Sequence, residues 1–160
     1  MRLTIAAIGR MKQGPDRALV ERYLDRLSKV GGQVGLDFRG LKETVESRLQ
    51  SVGERRKEEA AKLVAGLDDD CLRIVFDERG TSMSSEDFAA MLGNFRDAGR
   101  REVCFFLGGP DGHDPELAAS AEKLLSFGKM TFPHQIARLM LAEQLYRATT
   151  ILSGHPYHRA

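Results

Sequence analysis

The chain has only two cysteines, Cys71 and Cys104, and both stand in apolar, strand-like runs. Buried reduced thiols suit that setting better than a disulfide. No Cys/His spacing suits a metal ion, so no metal is expected. No apolar run approaches the roughly 20 residues that cross a bilayer. The opening Met1 to Gly9 is too short for a signal peptide and reads as a first strand. A cytoplasmic protein without a membrane partner is expected. An excess of one charge is missing too: 24 Lys and Arg stand against 23 Asp and Glu. No global field therefore argues for nucleic acid. Internal repeats, low-complexity stretches and composition shifts are also absent, so residues 1–160 are expected to fold as a single domain.

What is present is an alternation. Hydrophobic residues make up 42% and charged residues 29%, an ordinary globular balance. Leu3 to Ile8 is apolar and β-branched and ends at Gly9. Pro15 to Val30 carries Leu19, Tyr23 and Leu27 on one helical stripe, with Pro15 suited to the first turn. Val34 to Phe38 reads as a second strand, followed by a flexible connection and a helix from Glu54 to Ala65. The charge run from Glu54 to Glu59 is expected to be that helix's solvated face. Leu72 to Phe76 is a third strand ending in Asp77-Glu78-Arg79-Gly80. Ser84 with Asp87 predicts a capped helix to Arg96. Val103 to Leu107 is continuously apolar, as a strand buried on both faces would be. A helix over 115–125, a fifth strand over 129–132 and a last helix over 134–152 complete the pattern. This predicts an α/β fold with a mainly parallel sheet and helices on both faces.

In such sheets ligands bind at the carboxyl ends of the strands. Three loops lie there: Asp77 to Gly80, Gly108-Gly109-Pro110-Asp111-Gly112, and Pro133-His134. The glycine-rich loop lacks both the Gly-x-Gly-x-x-Gly spacing and a following Lys-Ser/Thr, so a tight turn and a ligand loop both remain open. Asp77 and Glu78 are adjacent, point apart and read as loop solvation. His113 reads as a surface loop histidine. Serines 82, 84 and 85 lack a nucleophile elbow.

The C-terminal end is different. From Lys129 onward, four cations face Glu143 alone, and three of the four histidines (His134, His155 and His158) fall here. Chain ends are normally featureless. On the last helix Ile136, Leu139 and Met140 form an apolar stripe. Ala137, Leu141, Ala142, Ala148 and Leu152 widen it nearly all round, which suggests a helix sandwiched against another subunit.

Several runs together resemble one family. They are Phe76-Asp77-Glu78-Arg79-Gly80, Phe106 to Gly112, Met130-Thr131-Phe132-Pro133-His134 with Arg138, Glu143 to Ala148, and His155-Pro156-Tyr157-His158-Arg159. In order and spacing they are similar to the RlmH family, of the SPOUT class of RNA methyltransferases. The resemblance implies a C-terminal trefoil knot and a homodimer with its active site near the subunit interface. It implies transfer of a methyl group from S-adenosylmethionine, leaving S-adenosylhomocysteine, to N3 of pseudouridine 1915 in 23S ribosomal RNA of the assembled ribosome.

Carried over residue by residue, the cofactor would be held by Phe76, Gly108 and Gly109 and by the loop Ser126, Phe127, Gly128, Lys129, Met130, Thr131, Phe132 and Pro133. Phe127-Gly128 departs from the Ser-Leu-Ser-type start commoner in the family. Backbone groups would make most contacts there, so binding is expected to survive. His134, Arg138, Glu143, Tyr157, His158 and Arg159 would lie on the substrate side. The N3 proton needs a base, for which His134, His158 and Glu143 are all candidates. Arg138 or Arg159 would stabilise the developing anion or position phosphates, and Tyr157 would stack on a base. Two further readings stand beside this one: a nucleotide-binding hydrolase using the glycine-rich loop, and a ribosome-associated factor without turnover.

Overall fold

The computed structural model describes residues 1–158. Arg159 and the side chain of His158 lie outside the described part. Five parallel strands form one sheet: β1 (Arg2–Ile8), β2 (Asp37–Thr44), β3 (Leu72–Thr81), β4 (Glu102–Leu107) and β5 (Lys123–Leu125). Their order is β2-β1-β4-β3-β5. Crossover helices alternate with them: α1 (Pro15–Val30), α2 (Val52–Val64), α3 (Ser85–Asp97) and α4 (Pro115–Ala119). Helix α5 (His134–Leu152) closes the chain.

The two-residue period of the strands sorts the core onto two faces. Leu3, Ile5, Ile74 and Phe105 pack with Leu27 of α1, Leu92 of α3 and Leu141 and Leu145 of α5. Ala6, Ile8, Val75, Cys104 and Phe106 pack with Leu63 of α2 and Leu117 of α4. Helices therefore cover both faces. Strand β4, central and continuously apolar, is buried from Val103 to Leu107. Each fully buried Leu or Phe contributes roughly 1.5–3 kcal/mol.

Local signals explain the helix starts. Ser84 caps α3 by accepting from Asp87 N, and its hydroxyl reaches back to the Asp87 carboxylate. Ser51 and Glu54 build the same box for α2, so that helix begins at Val52 rather than Glu54. Both cysteines are free and buried.

Both edge strands lie elsewhere than the sequence pattern suggested. A 3-10 turn over Gly31–Val34 carries on from α1 and closes at Gly35, whose φ is +71°. Strand β2 therefore starts at Asp37 and runs on through Thr44, into the stretch read as flexible. It pairs only with β1 and leaves Asp37, Arg39 and Lys42 in solvent, while Glu43 turns inward to Arg138. The helix read over 115–125 stops at Ala119. Lys123–Leu125 instead ladders with Ile74–Phe76 as β5, and this pairing overrides a helix-compatible sequence. Residues 129–132, expected to be the fifth strand, have no regular structure.

Strand β3 does not stop at Phe76. Leu125 ladders with both Phe76 and Thr81, so residues 77–80 bulge around it. Gly80 makes this possible: a Cβ there would lie 2.3 Å from the Leu125 carbonyl carbon. Ser126 N then donates to Thr81 O at 3.1 Å, fixing the course of the chain as it leaves the sheet.

Candidate active site

The carboxyl ends of β3, β4 and β5 open onto one cavity of about 530 Å³. Residues 76–79, 107–113, 126–128 and 130–134 line it. Every residue carried over as cofactor-binding is among them except Lys129. The Phe76 and Phe127 rings stack at 4.5 Å and form one wall. Behind that wall a second cavity of about 500 Å³ opens between α1, α3 and α5, and both rings face it as well.

The glycine-rich loop is held from α2. Arg55 grips the Asp111 carboxylate with Nε and Nη2, at 2.6 and 3.2 Å, and keeps that carboxyl below the usual carboxylate range. Arg56 Nε donates to Asp111 O at 2.7 Å. A Cβ on Gly109 would meet Ile8 Cγ2 at 2.9 Å, and one on Gly108 would meet His113 Nε2 at 3.2 Å. These two glycines are thus required first by packing against β1 and His113, and the loop they shape forms the cavity wall.

His113 is not a surface residue. It is buried beneath the loop, and its Nε2 has no hydrogen-bond partner among the described residues. Burial pushes its pKa down, while Asp77 and backbone groups of Phe76 and Phe106 pull the other way. Asp77 is clamped by Arg79, which holds its pKa at about 2. A carboxylate held so low is a poor proton acceptor near neutral pH. Glu59 also departs from the solvated face expected of the α2 charge run. It is buried and accepts from Ser47 N at 2.8 Å, and its Oε2 faces Gly109.

Helix α5 begins at the cavity with His134. Its inward stripe is Arg138, Leu141, Ala142, Leu145 and Ala148, whereas Ile136, Leu139 and Met140 are only half-buried on other sides. Arg138 is fully buried. It pairs with Glu43 of β2 and donates to Ile8 O and Gly9 O, both at 3.0 Å. Glu43 also accepts from Met11 N at 3.0 Å. Arg138 does not line the cavity; it ties the ends of β1 and β2 to the helix that carries His134.

Glu143 and Tyr157 lie elsewhere. Glu143 borders the second cavity and accepts from Arg147 Nη2 at 2.6 Å and Gln144 Nε2 at 2.8 Å. The Tyr157 ring meets Tyr146 edge-on at 4.8 Å, with the Arg147 guanidinium 5.3 Å from its centre. Its hydroxyl donates to Glu143 at 3.3 Å, and burial pushes its pKa up, so it stays protonated. The structure thus brings the cofactor candidates and His134 together and sets Glu143 and Tyr157 beside Tyr23 of α1, away from that cavity. Sequence reasoning overlooked Arg55, Arg56, Glu59 and Glu43 as builders of the site. Only the Ser51-x-x-Glu54 box, which places the helix of the first three, offered a local signal; nothing local marked Glu43 of β2.

A family model described as "Predicted SPOUT methyltransferase" matches residues 1–158. A Brucella anthropi protein named ribosomal RNA large subunit methyltransferase H is 52% identical over 160 residues, covering 100% of both chains. Proteins of the same name from Mesorhizobium japonicum and Rhizobium meliloti are each 51% identical over 160 residues, again across both full chains. The chain belongs to the SPOUT methyltransferases, in the ribosomal RNA large subunit methyltransferase H family.

Proposed function

We propose that this protein methylates N3 of pseudouridine 1915 in 23S ribosomal RNA, using S-adenosylmethionine and acting on the assembled ribosome in the cytoplasm. The observation that carries the reading is the cavity at the carboxyl ends of β3, β4 and β5. Its roughly 530 Å³ suits a small-molecule site, and its walls combine the stacked Phe76 and Phe127 rings and Phe132 with the loops after β3, β4 and β5. Aromatic walls suit the adenine ring of such a cofactor, and glycine loops allow its close approach. The name shared by its relatives supplies the ribosomal RNA.

When bound, S-adenosylmethionine supplies a methyl group on a sulfonium, open to in-line displacement without a metal. Phe76 and Phe127 would pack against the cofactor, and residues 108–112 and 126–133 would hold and orient it. Holding donor and acceptor aligned removes several kcal/mol of the barrier. Among the described residues His134 is the base candidate that borders this cavity, and it accepts the N3 proton. Arg138 is a positioning residue for His134. Glu143, Tyr157, His158 and Arg159 act from the second copy of a homodimer, which meets the half-buried Leu139 and Met140 face of α5.

The test is incubation with labelled S-adenosylmethionine and ribosomes lacking the methylation, beside free ribosomal RNA. Label at a pseudouridine only with ribosomes supports the reading. Cofactor binding without transfer to either substrate refutes the assignment of substrate.

A further inference from the structure

A groove of about 530 Å³ opens beside the cavity, between the turn after β1 and residues 45–51. Arg10, Val45, Glu46 and Arg48 line it, with Glu58 and Lys62 of α2 also facing it. The groove and the cavity meet at Gly9. A Cβ on that glycine would stand 3.3 Å from Glu46 Oε1 and 3.5 Å from His134 Nε2. One residue therefore separates the groove's carboxylate from the cavity's histidine.

Residues 45–51 have no regular structure, yet they are fixed. Ser47 N donates to Glu59, and its hydroxyl donates to Glu58. Arg55 Nη1 donates to Leu49 O and Gln50 O at 3.0 and 2.8 Å, while the same side chain grips Asp111 in the cavity loop. This clamped segment turns Val45 and Leu49 outward, 51% and 46% exposed. A loop ordered by so many polar contacts that still displays apolar side chains is a surface prepared for a partner.

Charge indicates the partner. Arg10 and Arg48 are exposed, and neither has an ion-pair partner among the described residues. Glu58 is neutralised by Lys62 at 2.7 Å. Arg10 and Arg48 thus bring two free cations to the groove, and Glu46, the one groove carboxylate without a partner among the described residues, stands beside Gly9 where the groove meets the cavity. Phosphates suit the first and base N–H donors the second. We infer that this groove receives the RNA strand adjoining the target nucleotide. Its phosphates lie on Arg10 and Arg48, a flanking base edge turns to Glu46, and Val45 and Leu49 lie against sugar and base faces. This rests on the proposed methylation of ribosomal RNA and says how that substrate is gripped.

The test is the double variant Arg10→Ala/Arg48→Ala, assayed on ribosomes lacking the methylation at several salt concentrations, with cofactor binding measured by calorimetry. The ribosome KM is expected to rise roughly tenfold, with kcat and cofactor affinity unchanged. The salt dependence of kcat/KM is expected to flatten by about two units of log–log slope. Lysine at both positions is expected to restore most of the loss, and Lys57→Ala, on the solvated side of α2, to change nothing. Unchanged KM and salt slope in the double alanine variant overturn the groove and leave the methyltransferase reading standing. Loss of cofactor binding in both the alanine and lysine forms also overturns it, because the arginines are then structural. A wild-type protein that binds cofactor but methylates no ribosomal RNA overturns the underlying reading, and the groove falls with it.

Discussion

Arg138 of α5 and Glu43 of β2 form an ion pair beneath the end of β1, joining residues 95 apart in sequence. The same guanidinium satisfies two carbonyls where β1 stops. Burial pushes the Arg138 pKa down, and Glu43 pulls it back up. Removing one partner of a buried pair is costly because the other charge is left uncompensated. Arg138→Met is expected to lower stability by about 3 kcal/mol in urea unfolding. Adding Glu43→Gln should recover part of that, giving a coupling energy above roughly 1 kcal/mol in a double-mutant cycle. Purely additive losses would show that the pair does not act as a unit.

His113 gives the protein a pH dependence of known sign. Its folded-state pKa lies below the ordinary 6.5, because burial disfavours the imidazolium. The unfolded chain thus binds a proton that the folded chain refuses, and stability falls as pH drops below about 6.5. Asp77 acts in the same direction in a lower window: its folded pKa of about 2 sits below the ordinary 3.8, so its contribution fades between about pH 4 and 2. Urea midpoints measured from pH 7.5 to 5 should fall for the wild type and fall less steeply for His113→Gln. Equal slopes would mean that His113 titrates alike in both states.

The two thiols should be inert in the folded protein. Burial pushes Cys71 up to about 11 and Cys104 higher still, and thiolate is the reactive form. Iodoacetamide at neutral pH is expected to label neither until denaturant is added, as mass spectrometry would record. Rapid native labelling of Cys104 would show that α2 opens readily from the sheet, since the two pack in one cluster.

What the sequence revealed follows how local each determinant is. Helices α1 and α5 were placed at both ends because Gly14-Pro15, Gly31 and Pro133 punctuate them, and β4 declared itself by a continuous apolar run. The two misplaced strands, β2 and β5, are the sheet's two edges, where pairing with a single neighbour decides the bounds and local pattern says little. Buried polar residues escaped for a similar reason. Arg138, Glu59 and His113 look like solvated positions because the residues that enclose them are distant in the chain. The cavity loops were legible through their glycines and the family motif. That Glu143 and Tyr157 stand apart from the cavity was not, since it depends on which way α5 faces.

Two glycines separate close backbone packing from propensity. Gly80 lies where the bulge of β3 wraps Leu125, and a Cβ would come within 2.3–2.7 Å of that residue's backbone carbon, oxygen and nitrogen. Real Cβ contacts are not so short, and both partners are main chain, so neither side can swing away. Gly80→Ala must push β5 off Thr81, which also displaces Ser126 and Phe127 from the cavity wall. It is expected to abolish cofactor binding and to cost several kcal/mol, the range of severe overpacking. Gly53, in the first turn of α2, has open space around its Cβ position and no positive φ. Gly53→Ala removes unfolded-state freedom and should stabilise by about 0.5–1 kcal/mol, with cofactor affinity unchanged. Thermal unfolding and calorimetry on both variants check the contrast. A Gly80→Ala protein that binds cofactor normally would show that the crossing at Leu125 can relax, and that the cavity does not depend on its tightness.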